Sequence, residues 1–183
     1  MFKVAGIGHV LLRVTDEEVS KRFYRDVLGF AVAEQDPEHG GVFMTLGDSF
    51  HAIDLVKHPV GAAAPKPQER SLGLVHIAFK VPNYAALREA YTHLLDQGVE
   101  ILRAVDHISQ RSLYFNDPDG NGLEIYLELP NAVSLFPNGR GDDDERLPLT
   151  RAGEPLPAWL LEDWPDAAAM AKVERLQHRP AAE

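Results

Sequence analysis

Two stretches of the chain share one pattern of residues, Gly6-Ile7-Gly8-His9-Val10-Leu11-Leu12-Arg13-Val14 and Gly73-Leu74-Val75-His76-Ile77-Ala78-Phe79-Lys80-Val81. Glycine, histidine, a basic residue and valine recur in register, 67 positions apart. Both stretches are otherwise mainly apolar, with several β-branched residues, so we predict a strand in each. An internal repeat of this kind indicates two copies of one structural unit.

The residues after each predicted strand extend the repeat. Thr15 and Glu18 form a capping box that begins a helix in the first half, and Asn83 is the expected N-cap in the second. Gly29 and Gly98 suit the ends of these two helices. Apolar residues at helical spacing predict the buried faces, which are Val19, Phe23 and Val27 in the first helix and Leu87, Tyr91 and Leu94 in the second.

Three strand-like runs follow each helix. They lie at 31–34, 42–46 and 52–56 in the first half, and at 99–105, 112–115 and 123–129 in the second. Between the last two, residues 117–122 carry a strong turn signal, and we interpret Asp117 and Asp119 as simple turn residues. Each half therefore has the order strand–helix–strand–strand–strand. We predict an α+β protein of two βαβββ modules, at about residues 5–57 and 72–129, within a domain of residues 1–130.

The composition changes after residue 130. Residues 131–183 contain six prolines, both tryptophans and the acidic cluster 142–145. We expect an extension with an apolar patch at Trp159–Trp164 and one helix at Asp166–Gln177. Two tryptophans are costly to leave in water, so we expect the extension to dock, as an arm on a partner subunit or over a cleft.

Charge and composition exclude several classes of protein. With 18 Lys and Arg against 28 Asp and Glu, the net charge is −10, which argues against nucleic acid and anionic membranes as partners. The absence of cysteine excludes disulfides, thiolate nucleophiles, iron–sulfur clusters and cysteine zinc sites. No apolar run approaches the roughly 18 residues of a membrane span, and glycine and histidine interrupt the first residues. We therefore expect a soluble cytoplasmic protein.

The repeat also predicts a metal site. His9 and His76 occupy equivalent places, and two such strands lying side by side would bring both imidazoles together. Glu124 lies among apolar residues on the last strand of the second half, where a buried carboxylate needs a partner. Two imidazoles and one carboxylate suit a divalent transition metal and leave coordination positions open for a substrate. We predict these three residues as metal ligands.

Two further segments strengthen this pattern, Phe23-Tyr24-Arg25-Asp26-Val27-Leu28-Gly29-Phe30 and Asp117-Pro118-Asp119-Gly120-Asn121-Gly122-Leu123-Glu124. Together with the histidine strands they resemble the vicinal oxygen chelate superfamily, which includes glyoxalase I, fosfomycin-resistance thiol transferases, bleomycin-binding proteins and extradiol dioxygenases. The resemblance implies paired βαβββ modules that form a cupped mixed sheet around a metal, and a homodimer. It leaves open whether His9 and His76 meet within one chain or across two.

Three features are similar to extradiol dioxygenases in particular. His51 lies where those enzymes place a catalytic histidine, Tyr114 lies ten residues before Glu124, and His107 falls in a loop that usually holds a further histidine. The resemblance implies these three as catalytic residues and Fe(II), or less often Mn(II), as the metal. It also implies ring cleavage of a small catechol-like diol with O2.

Asp54 supports a rival interpretation. Glyoxalase I enzymes place a fourth metal ligand here, so Asp54 would accompany Ni(II) or Zn(II) and an isomerase acting on a glutathione hemithioacetal. A ligand-binding or resistance protein without catalysis is another alternative. His51 and Asp54 are three residues apart, which puts them on opposite faces of a regular strand. The sequence therefore leaves open which of the two faces the metal.

Overall fold

The computed structural model describes residues 2–68, 72–129, 132, 136, 144–156 and 174. The chain forms two compact units, Met1–Gly73 with Asp117–Asn121, and Leu74–Asn116 with Gly122–Glu183. The predicted patch at Trp159–Trp164 lies outside the described residues, as does the predicted helix at Asp166–Gln177 apart from Glu174. Within the described part, no helix is both long and apolar enough to cross a membrane.

The first unit contains one module. Its elements are β1 (Val10–Val14), α1 (Glu17–Asp26), β2 (Ala31–Gln35), β3 (Val42–Thr45) and β4 (Ile53–Lys57). The sheet has the order β1-β4-β3-β2, in which β1 and β4 are parallel and the other pairs are antiparallel. The parallel pair places the start of β1 beside the start of β4.

The second unit repeats this arrangement and adds one strand. Its elements are β5 (Ile77–Lys80), α2 (Tyr84–Asp96), β6 (Arg103–Asp106), β7 (Gln110–Asn116), β8 (Gly122–Glu128) and β9 (Glu145–Arg146). The sheet order is β5-β8-β7-β6-β9, with β5 parallel to β8. The predicted α+β class and the two βαβββ modules are confirmed, and the short strand β9 comes from the C-terminal extension.

Each unit has its own apolar core. The deeply buried side chains include Val14, Tyr24, Met44, Ile53 and Leu55 in the first unit, and Leu87, Leu94, Leu113, Phe115 and Leu123 in the second. In α2 the prediction holds for the cap, since the Asn83 side chain accepts a hydrogen bond from Ala86 N at 2.9 Å. Each helix packs against the sheet of its own unit, α1 on β4 and α2 on β8, and covers one face of that sheet.

Helix α1 differs from the prediction at its start. Asp16, not Thr15, is the N-cap, and its carboxylate accepts hydrogen bonds from the N–H groups of Glu18 and Val19 at 2.9 and 3.1 Å. The predicted buried face is also wrong at Val19, which is 39% exposed. The buried residues of α1 are instead Ser20 and Tyr24.

Thr15, the predicted cap, instead forms hydrogen bonds with the loop at residues 117–121. Thr15 donates from its hydroxyl to Asp119 at 2.6 Å and from its backbone N–H at 3.1 Å, and Ser20 donates to the same carboxylate at 3.3 Å. Asp117 closes the turn by accepting from the N–H groups of Asp119 and Asn121, and it also accepts from the buried Tyr24 hydroxyl on α1 at 3.2 Å. The interpretation of Asp117 and Asp119 as simple turn residues was therefore wrong, because both buried carboxylates join the loop to α1 or its start.

Gly122 is required by a close approach of two chain segments. It begins β8, and a Cβ atom at this position would lie 2.3 Å from the carbonyl oxygen of Val75 and 3.3 Å from the Cβ of His76. No substituent fits between backbone atoms at that distance. Glycine here lets the segment before β5 lie directly against β8.

We predict that Gly122→Ala destabilises the protein by about 1–3 kcal/mol, since the added methyl group must push the segment before β5 away from β8. The matched control is Gly6→Ala, where a Cβ atom meets nothing within 4 Å. Denaturant unfolding of both variants measures the difference. Equal stability of the two variants would show that the approach at Gly122 is not constrained.

Candidate metal centre

In each module the same strand pairing places one histidine near one carboxylate. Strands β1 and β5 begin directly after His9 and His76, later than the predicted starts at residues 6 and 73. Asp54 pairs in register with the residue two after His9, and Glu124 pairs with the residue two after His76. Side chains two residues apart on an extended chain share a face, so each histidine lies on the same side as its carboxylate.

In the second unit, two of the three predicted ligands are in direct contact. His76 Nε2 lies 3.0 Å from Glu124 Oε2, and the Glu124 carboxylate is buried, at 3% exposure. Two ligands bound to one ion at about 2.1 Å and at a right angle would be separated by about 3.0 Å. The other carboxylate oxygen, Oε1, accepts from Gln110 Nε2 at 3.3 Å, which holds the group in place.

In the first unit, His9 shares a carboxylate with His51. His9 Nε2 lies 3.5 Å from Asp54 Oδ2, while His51 Nδ1 lies 2.7 and 2.9 Å from the two carboxylate oxygens. One ligand atom from each of these residues falls within 4.8 Å of the others. His51 lies in the loop before β4 and not on the regular strand. Both His51 and Asp54 therefore reach the same place, which the spacing argument could not decide.

The His51 ring is fixed on several sides. Its centroid is 4.4 Å from that of His9, and Phe43 and Phe50 approach edge-on at 5.9 and 5.1 Å. An ionised carboxylate can only accept hydrogen bonds, so the contact with Asp54 places the His51 hydrogen on Nδ1. Nε2 is then left as the basic nitrogen.

Tyr114 and His107 complete the second unit's cluster. Tyr114 lies opposite Glu124 in the β7–β8 register, and its ring centroid is 5.6 Å from that of His76. His107 Nε2 lies 2.8 Å from the Tyr114 hydroxyl oxygen. Burial, followed by the nearby Glu124 carboxylate, raises the pKa of Tyr114 to about 12. The phenol therefore keeps its proton near neutral pH and can donate a hydrogen bond.

The predicted site residues thus fall into two groups. The second unit brings His76, Glu124, Tyr114 and His107 together, and the first unit brings His9 and His51 together with Asp54. Imidazoles with carboxylates suit divalent first-row transition metals. In the first group three donor atoms lie within 4.8 Å of one another, and in the second the His76–Glu124 pair has a distance that fits such an ion. The donor set accepts Fe(II), Mn(II), Ni(II) or Zn(II) and does not select among them.

Gln110 is a site residue that sequence reasoning missed. It alternates with Ser112 and Tyr114 along β7, so all three share one face of that strand. Once Tyr114 was assigned to the site, this period of two was the available signal. A single polar residue at the start of a strand is too common to be identified without that reference point.

Comparisons with known proteins extend these findings. The family model described as Glyoxalase/Bleomycin resistance protein/Dioxygenase superfamily matches residues 6–125. The chain is 32% identical over 122 residues to biphenyl-2,3-diol 1,2-dioxygenase 3 of Rhodococcus globerulus, covering 67% of this chain and 63% of the relative. It is also 32% identical over 128 residues to catechol-2,3-dioxygenase of Bacillus subtilis, covering 69% of this chain and 43% of the relative. The chain therefore spans less than two thirds of the length of either relative.

A solved structure matches the fold. It is a glyoxylase/bleomycin resistance protein/dioxygenase domain from Frankia sp. EAN1pec, with a TM-score of 0.61 and 24% sequence identity. The match covers 69% of this chain and 99% of that chain, and at this identity it speaks for the fold alone. The family model, the relatives and the paired βαβββ modules agree, and the chain belongs to the glyoxalase/bleomycin resistance protein/dioxygenase superfamily.

Proposed function

We propose that the protein is a metal-dependent extradiol-type dioxygenase that cleaves a small catechol-like diol with O2. The observation that carries the proposal is the convergence of Tyr114 and His107 on the His76–Glu124 pair. A phenol that stays protonated, backed by an imidazole, suits recognition of a substrate oxygen next to a metal. Two relatives named as diol or catechol dioxygenases, each at 32% identity, support the same reaction class.

In this proposal His9, His76 and Glu124 hold the metal, which is Fe(II). Two neutral imidazoles and one carboxylate leave a divalent site with a single positive charge, which favours an anionic catecholate. When bound, such an ion supplies a Lewis acid that lowers the pKa of a coordinated hydroxyl group. The buried Glu124 carboxylate keeps its orientation through Gln110.

The remaining residues position the diol and move protons. His51 Nε2 takes a proton from the substrate hydroxyl and later returns it, a role that suits an imidazole near neutral pH. Asp54 holds the other nitrogen of that ring. The Tyr114 oxygen accepts a hydrogen bond from a substrate hydroxyl, while the phenol donates its own hydrogen to His107. The ring then opens beside the diol and not between its two oxygens.

A glyoxalase I-like isomerase is the second candidate. It is favoured by one distance, the 3.5 Å between His9 Nε2 and Asp54 Oδ2, which is close enough for both to bind one ion. Asp54 would then be a fourth ligand to Ni(II) or Zn(II). Against it, both Asp54 oxygens contact His51 at shorter distances, which fits a residue that orients a base.

The test combines elemental analysis of anaerobically purified protein with oxygen-uptake assays on a panel of catechols. Iron with catechol-dependent O2 consumption supports the dioxygenase. Nickel or zinc with turnover of a glutathione hemithioacetal supports the isomerase. Binding of a small molecule without turnover of either substrate would favour a ligand-binding protein and overturn the proposal.

We predict that His76→Ala and Glu124→Ala each abolish metal retention, because each removes one of three ligands. Glu128→Ala is the matched control, since Glu128 lies four residues further along β8 and its exposed carboxylate pairs with Lys80. Metal content per chain after gel filtration measures the outcome. Full occupancy in either ligand variant contradicts the assignment, and metal loss in Asp54→Asn would move Asp54 into the ligand set.

We predict that His51→Ala keeps its metal but loses roughly a hundredfold or more in turnover, because the reaction loses its acid and base. His39→Ala is the control, since His39 also contacts an aspartate three residues away but is 81% exposed. Oxygen uptake at saturating catechol measures kcat for both. Turnover of His51→Ala at the rate of His39→Ala would remove His51 from the mechanism.

A further inference from the structure

The C-terminal extension brings a carboxylate to the His107 ring. Strand β9 pairs antiparallel with β6, and Glu145 lies opposite Asp106 in the register. The next pair along the two chains is Asp144 and His107, and Asp144 Oδ1 lies 2.7 Å from His107 Nδ1. His107 is only 6% exposed, and its other nitrogen faces the Tyr114 hydroxyl at 2.8 Å. A carboxylate, an imidazole and a phenol therefore form a continuous chain of hydrogen bonds.

Further contacts hold the C-terminal extension at residues 147–151, a few residues after Asp144. Arg88 on α2 is 3% exposed, and its guanidinium donates to Thr150 Oγ1 at 3.0 Å and to the carbonyl of Arg151 at 2.7 Å. Leu147 is buried, and its N–H donates to the carbonyl of Ala104 on β6 at 3.1 Å. A segment held from residue 145 to residue 154 presents Asp144 in a defined position, which a loose tail would not do.

The backbone at His107 is fixed separately from its ring. Residues 107–110 form a tight turn in which His107 N donates to the carbonyl of Gln110 at 2.8 Å. Ile108 has a φ of 69°, a conformation that costs a β-branched residue energy, and Asp106 accepts a hydrogen bond from its N–H at 2.8 Å. The turn therefore fixes the backbone position of His107. Asp144 and Tyr114, which contact the two ring nitrogens, set the orientation and the tautomer of the ring.

We propose that Asp144 is a positioning residue for His107. Its carboxylate accepts the hydrogen on Nδ1, so that Nε2 presents its lone pair to the Tyr114 hydroxyl. The C-terminal extension is in this way part of the reactive site, and this catalytic consequence rests on the proposed function.

The tautomer of His107 gives a test that does not depend on activity. Long-range proton–nitrogen correlation spectra of the full-length, nitrogen-labelled chain loaded with diamagnetic Zn(II) distinguish hydrogen on Nδ1 from hydrogen on Nε2. The His107→Gln spectrum assigns the signals. We expect hydrogen on Nδ1 in the natural sequence and in Asp144→Glu, and a shift toward hydrogen on Nε2 in Asp144→Ala.

Two further variants separate Asp144 from the docking of the extension. Glu154→Gln removes the same charge ten residues further on, where the carboxylate contacts Arg151 N at 3.1 Å, and should leave His107 unchanged. Asp144→Ser serves if Asp144→Ala does not fold, because its shorter side chain removes the carboxylate that contacts Nδ1, and it should show the same shift toward hydrogen on Nε2. A shift in Glu154→Gln as large as that in Asp144→Ala would overturn the proposal, as would an unchanged His107 in Asp144→Ala.

Kinetics supply the second readout. We expect Asp144→Ala to lower kcat for catechol cleavage by roughly tenfold to a hundredfold with metal content unchanged. KM should stay within about twofold, because Asp144 acts through His107 and does not touch substrate. A change confined to KM would contradict a positioning role. If the natural protein cleaves no catechol at all, the proposed function fails, while the spectra still decide the role of Asp144.

Discussion

Two buried carboxylates constrain how both modules are built. Asp54 and Glu124 are 2% and 3% exposed, and each lies on the strand that runs parallel to the first strand of its module. A carboxylate removed from water is stable only with a partner of suitable charge or hydrogen-bonding capacity. In the second module the partner is His76, and in the first it is His51, with His9 farther away at 3.5 Å. In both modules the histidine directly before the first strand therefore lies close to a buried carboxylate.

Around this shared arrangement the two modules supply different chemistry. The carboxylate of the first module contacts a second imidazole, that of His51. The carboxylate of the second module accepts from the Gln110 amide and lies opposite Tyr114, whose pKa of about 12 keeps it a hydrogen-bond donor. One module thus pairs its carboxylate with a second imidazole, and the other pairs it with an amide and a phenol. In the proposed reaction this asymmetry lets the site treat the two oxygens of a diol differently.

Most of the fold could be predicted because the signals for helices, strands and turns are local or periodic in the sequence. The predictions failed where a residue's role depends on a partner far away along the chain. Thr15 satisfies the rule for a helix cap, yet Asp119, 104 residues away, takes its hydroxyl hydrogen and leaves the cap to Asp16. The spacing of His51 and Asp54 was ambiguous because the point at which β4 begins is set by its pairing with its neighbours. Asp144 carried no signal, since one member of an acidic cluster looks like any other until the strand register selects it.

Strand β9 has two effects: it covers the edge of the sheet at β6, and it brings Asp144 to His107. Without it, β6 would be the open edge of its sheet, with unpaired backbone groups that attract other chains. Pairing with β9 covers that edge, and the antiparallel register then places Asp144 opposite His107 without further requirement. The turn at Ile108 holds the other half of the contact, in a conformation whose cost is offset by burying the isoleucine side chain and by the hydrogen bond to Asp106. The stability of the sheet edge and the orientation of the His107 imidazole are therefore coupled, so that a change that loosens β9 acts on both.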